Sequence, residues 1–104
     1  MSKIKIGKKN YNVKYTLRAL FVFERIAKHP FEITSMLDNY ILLYSVLLAN
    51  NPEMELTWDE FIDEMDRDPE LFIKMNKAID QEQAKNKVFA DDDKPKGDKE
   101  QKKE

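Results

Sequence analysis

Met36-Leu37-Asp38-Asn39-Tyr40-Ile41-Leu42-Leu43-Tyr44-Ser45-Val46-Leu47-Leu48-Ala49 is a run in which only Asp38, Asn39 and Ser45 are polar. It predicts a helix that starts at Thr34 or Ser35 and is closed by Asn50-Asn51-Pro52, because proline cannot continue a helix and asparagine tolerates the cap. A helix of this length, roughly 20 Å, is too short to cross the hydrocarbon core of a bilayer. Being apolar nearly all round, it is either the centre of a bundle or is shared between a core and a binding surface.

The residues before it supply a hairpin and a first helix. Ile4, Ile6, Tyr11, Val13 and Tyr15 alternate with Lys3, Lys5, Asn12 and Lys14, the period-two pattern of two short strands with one buried face. Gly7-Lys8-Lys9-Asn10 forms the turn, with glycine and asparagine available for positive φ. Such a hairpin is barely stable alone and must lie on helices. Thr16 then caps a helix running to about Lys28, where His29-Pro30 ends it. Val22, Ile26, Ala19, Phe23, Ala27 and Leu20 share one broad apolar face of that helix, the expected core face. Leu17 and Phe21 fall instead among Arg18, Glu24, Arg25 and Lys28, so either the hairpin or a partner must cover them.

Downstream, Thr57-Trp58-Asp59-Glu60 is a capping box. Trp58, Phe61, Ile62 and Met65 form a narrow apolar arc, and Trp58 is expected to anchor the core. Asp68-Pro69-Glu70 starts a last helix with a cap, a proline and an acid in the first turn; Leu71, Phe72, Met75, Ala78 and Ile79 are its core face. From Asp91 to Glu104 the chain is charged and without apolar periodicity, as expected of a disordered tail. The expected architecture is mainly α: a short N-terminal β-hairpin and a bundle of about four helices over residues 1–90, then the tail over 91–104.

Charge is segregated along this 104-residue chain although its formal net charge is only −2. Up to His29 there are eight lysines and arginines against Glu24 alone; from Glu53 to Glu70 there are nine acids against Arg67 alone. Such a dipole draws the two regions together, orients a partner, or drives head-to-tail self-association. Cysteine is absent, which removes thiolate chemistry and sulfur-ligated metals and fits a reducing compartment. With a lysine-rich start lacking the apolar core of a signal peptide, the expected compartment is the cytoplasm.

Catalytic constellations are sought in vain. His29 is the single histidine and stands beside a helix-ending proline, where a surface or capping role is expected rather than that of a general base. Asp66, Asp68 and Glu70 alternate like the start of a calcium loop, but Leu71 occupies the place of the glycine and Lys77 that of the bidentate glutamate. Gly7 and Gly97 are the only glycines, so there is no phosphate loop. The basic N-terminal third, with Tyr11 and Tyr15 for stacking, suits a nucleic-acid-binding module, but the acidic half would repel the same phosphates.

Two stretches carry a family likeness: Lys5-Ile6-Gly7-Lys8-Lys9-Asn10-Tyr11 leading into Tyr15-Thr16-Leu17-Arg18-Ala19-Leu20-Phe21-Val22-Phe23-Glu24, and Ile41 to Asn50 followed by Leu56-Thr57-Trp58-Asp59-Glu60-Phe61. In the order of its elements and the spacing of its apolar residues, the chain resembles the tail assembly chaperones of long-tailed bacteriophages and prophages. The resemblance implies a non-enzymatic, cofactor-free helical protein of the bacterial host cytoplasm. Such a protein binds the tape measure protein and keeps it soluble until tail tube subunits polymerise around it, with the tail tube protein a further expected partner. The alternatives are a small regulatory or antitoxin-like adaptor and the nucleic-acid module. For a chaperone, the expected partner-binding residues are Leu17, Phe21, Leu42 and Val46, with Arg18 and Arg25 as a basic rim.

Overall fold

Local capping chemistry sets the boundaries of every helix but the last. The computed structural model describes residues 2–85. It contains β1 (Ser2–Ile6), β2 (Lys9–Val13), α1 (Leu17–Ala27), α2 (Met36–Asn50), α3 (Trp58–Arg67) and α4 (Glu70–Lys85). The hydroxyls of Thr16 and Ser35 each accept the backbone N–H three residues on, at 3.1 Å. In front of α3, Thr57 and Glu60 close the reciprocal capping box. Asp68 Oδ1 accepts the Glu70 N–H at 3.2 Å at the head of α4. The tail expected after Ala90 lies outside the described residues.

β1 and β2 pair antiparallel, with Ile4 opposite Tyr11 and Ile6 opposite Lys9. The turn is therefore two residues long, Gly7-Lys8, with Gly7 at φ +63°. A glycine at the first central position suits the right-handed twist of the strands. Asn10, expected in the turn, belongs to β2. Ile4, Ile6, Tyr11 and Val13 are buried against α2 and α4. The side of β2 remote from β1 is closed by two asparagines. Asn51 accepts the Asn12 N–H and donates to the Asn12 carbonyl, both at 2.9 Å, while Asn50 donates to the Lys14 carbonyl at 2.7 Å. The same two amides donate to the carbonyls of Val46 and Leu47, so they cap α2 and cover a strand edge at once.

α2 is the centre of the molecule, buried at every position from Ile41 to Leu47. α1 packs along one side of it. Tyr44 on another side meets Trp58 and Phe61 edge-on or tilted, with ring centroids 5.5 and 5.3 Å away, and donates its hydroxyl to the Leu56 carbonyl at 2.7 Å. Tyr40 stacks on Phe72 of α4 at 4.9 Å. Leu42 and Val46 lie within this core, at 9% and 0% exposure, and supply no outer surface. On a helix covered from several sides the arc beside the few polar residues is as buried as the rest, and Ser45 itself is fully buried. Among the described residues nothing hydrogen-bonds the Ser45 hydroxyl.

Two further expectations are corrected. On α1 the core face is narrower than the apolar arc: Ala19 and Phe23 are fully buried, whereas Val22 is half-buried and Ile26 is exposed. On α3 Phe61 is fully buried, whereas Trp58, the first residue of the helix, is half-buried and packs on the rim of the core against Tyr44 and Phe61. Phe61→Ala is expected to cost about 3 to 5 kcal/mol, and Trp58→Ala about 1 to 3 kcal/mol, in urea denaturation. An equal cost would place Trp58 back in the core. Ser45→Ala removes a buried, unbonded hydroxyl and a poorer helix former, and is expected to stabilise by about 1 kcal/mol in the same measurement.

Candidate functional site

α1 has α2 as its packing partner, so much of its circumference faces outward. That outward side is not polar: Leu17 and Phe21 stand 54% and 56% exposed, one turn apart. The hairpin does not cover them. Beside them run Arg18, Val22 and Arg25, and across the α1–α2 seam lie Leu48 and Ala49, which together line an open cleft of about 620 Å³. The structure thus brings together four of the six expected partner-binding residues, Leu17, Arg18, Phe21 and Arg25. Leu42 and Val46, expected on the same partner-binding surface, are buried; from α2 the cleft takes Leu48 and Ala49 instead, near the end of that helix where its cover thins. Among the described residues neither Arg18 nor Arg25 is ion-paired.

A second apolar groove, about 370 Å³, lies between the start of α2 and α3. Met36 and Leu37 stand 78% and 58% exposed on one wall, Trp58 and Ile62 form the other, and Asp66 is its one charged lining residue. The sequence pattern concealed this groove, because an arc of four apolar residues on α3 looks fully used by a core. Its signal was Met36-Leu37 in the first turn of α2, ahead of the stretch that its neighbours enclose.

The acidic half of the chain partly meets the basic hairpin. The Glu64 carboxylate lies beside Gly7, at 3.4 Å from where a side chain there would begin, and pairs with Arg67 at 2.7 Å. Burial, and then Glu60, Glu64 and Glu55, push the Tyr11 hydroxyl above its ordinary value. Acids of α3 and Glu55 thus lie close to the hairpin at Gly7 and Tyr11, and among the described residues no ion pair joins them to its lysines.

The connection between α1 and α2 is held by a polar cluster. Lys28 closes α1 in the left-handed conformation at φ 65°. Glu24 accepts the Phe31 N–H at 2.7 Å. His29 Nδ1 lies 2.8 Å from the Pro30 carbonyl and Nε2 lies 3.1 Å from Asp38 Oδ1. The other Asp38 oxygen accepts both the N–H and the hydroxyl of Thr34. Both imidazole nitrogens face acceptors, so the arrangement suits the doubly protonated ring. The Pro30 carbonyl and then Asp38 raise His29 above its ordinary pKa. The Thr34 N–H, helped by His29, holds Asp38 below the ordinary carboxylate value. His29 thus caps neither helix, since Lys28 ends α1 and Ser35 begins α2; it ties the connection to Asp38 instead. Among the described residues no three histidine, aspartate or glutamate side chains are grouped to hold a metal ion.

The signs follow from linkage. A folded-state pKa raised at His29 means stability present below the unfolded imidazole value and lost as pH rises through the folded one. A lowered pKa at Asp38 means stability present above the unfolded carboxylate value and lost as pH falls through the folded one. The pair contributes most between those unfolded values, roughly pH 4 to 6.5. Wild type is expected to be more stable than His29→Gln at pH 6, with the difference shrinking by pH 9 in urea denaturation. A constant difference would show that the ring acts by packing alone. Compared with family models, curated proteins and solved structures, the chain finds no match in any of the three.

Proposed function

We propose that this protein is a non-enzymatic assembly chaperone of the phage tail type, and that it holds an apolar helical segment of the tape measure protein on the outer face of α1. The single observation that carries the reading is the placement of Leu17 and Phe21. A small domain gains nothing for its own stability from two large apolar side chains left outside the core, whereas a holding surface requires them. The spacing of Leu17 and Phe21, one turn apart above the cleft floored by Leu48 and Ala49, matches a helix-in-groove mode of recognition. Arg18 and Arg25 beside the cleft would meet acidic residues of the bound helix and set its direction. The hairpin followed by four helices has the element order on which the resemblance to tail assembly chaperones rests. No helix of the described residues is long and apolar enough to cross a membrane. A site in the bacterial cytoplasm, where tails assemble, belongs to the same proposal.

The test is co-expression with a phage tape measure protein, the candidate being any very long tail gene found downstream of this one. Leu17→Ser with Phe21→Ser removes exposed side chains, so the thermal midpoint is expected to move by no more than a few degrees. The fraction of tape measure protein in the soluble lysate is expected to fall to the level seen without the chaperone. A folded double variant that still solubilises its partner would overturn the α1 assignment. A wild type that never alters tape measure solubility would overturn the function.

A further inference from the structure

The two edges of the β-sheet are treated differently. On β2 the outward N–H and carbonyl of Asn12 are both taken by Asn51, so in the antiparallel ladder they point away from β1. Lys3 stands directly opposite Asn12 and Lys5 opposite Asn10. Pairs two residues apart share the same hydrogen-bonding class, so the N–H and carbonyl groups of Lys3 and Lys5 point away from β2, along the free edge of β1. Among the described residues no hydrogen bond outside the hairpin reaches them. Between that edge and α4 runs an open groove of about 490 Å³, lined by Ser2 to Lys5 and by Lys74, Lys77, Ala78 and Gln81. No acid lines it, and none of its four lysines is ion-paired among the described residues.

We propose that the free edge of β1 and the facing flank of α4 form a strand-addition site for an extended, acidic segment of a partner protein. The backbone groups of Lys3 and Lys5 supply the ladder, and Lys3, Lys5, Lys74 and Lys77 select negative charge. Ile4 and Ala78 give the groove an apolar floor, which favours small apolar residues at alternate positions of the guest. Lysine on an edge strand also discourages unselective pairing with neutral or basic strands. The same charges that exclude those guests admit an acidic one. This site is separate from the α1 surface and stands or falls independently of it.

The probe is a fluorescein-labelled peptide of about seven residues alternating aspartate and valine, titrated into the full chain by fluorescence polarisation. A lysine–valine peptide of the same length serves as its counterpart. Saturable binding of the acidic peptide alone is expected, with slowed amide exchange at Lys3 and Lys5. Lys3→Pro and Lys5→Pro each remove one outward N–H without touching the ladder to β2, and each is expected to weaken binding about 3- to 10-fold. Lys74→Glu with Lys77→Glu, which leaves the hairpin unaltered, is expected to weaken it by about 10-fold or more. No binding at millimolar peptide, equal binding of the basic peptide, or affinity indifferent to the proline and glutamate variants would each overturn the proposal. The chain's own Asp91-Asp92-Asp93 is the competing occupant. If the Lys3 and Lys5 amides are already slow in the peptide-free chain and quicken in the variant with all three changed to asparagine, the guest is internal and the partner assignment is overturned.

Discussion

The enclosure of α2 is the constraint from which the other positions follow. A helix buried continuously from Ile41 to Leu47 must be covered from several directions, and each remaining element supplies one of them. The hairpin lies against its C-terminal part, where Asn50 and Asn51 fasten β2; the aromatic pair of α3 meets Tyr44; Phe72 of α4 meets Tyr40. α1 covers the side that is left, and has no further element to cover it in turn. The exposure of Leu17 and Phe21 is thus a consequence of how three helices and a hairpin share one central helix. The buried hydroxyl of Ser45 is the clearest sign that this enclosure overrides local polarity.

What was legible in the sequence was what is local. Thr16, Ser35 and Thr57 cap their helices because a short side chain bonds a backbone N–H three residues away, and nothing distant intervenes. The alternation in the hairpin was equally plain, since a one-residue slip would expose every apolar side chain. Leu42 and Val46 were misplaced because a helix apolar all round has no polar face by which to orient it. On α1 the apolar arc was wider than the single neighbour could bury, and projection alone does not say which edge of a wide arc is left out.

Long-range polar contacts were invisible for a different reason. Asn50 and Asn51 read as a helix stop, which they are, but their carboxamides also imitate a strand backbone for Asn12. An amide carries a donor and an acceptor at nearly the spacing of a peptide group, so one side chain serves both purposes. His29 and Asp38 show the same economy: a loop residue and the third residue of α2 meet because Lys28 turns the chain in the left-handed conformation. Such pairs depend on where two backbones finish, and that is decided by packing far from either.

Glu82 joins the two ends of the described chain. Its carboxylate is buried and accepts both the backbone N–H and the hydroxyl of Ser2, at 3.1 and 3.0 Å, across 80 positions of sequence. During synthesis the first strand therefore waits for the last helix. At 5 to 20 residues per second the interval is on the order of 4 to 16 s. Through that time the apolar face of the nascent hairpin lacks its α4 cover, and a ribosome-bound chain is obliged to keep it from other strands. The lysines of β1 and its turn, exposed from the moment they emerge, are the means the chain has for doing so.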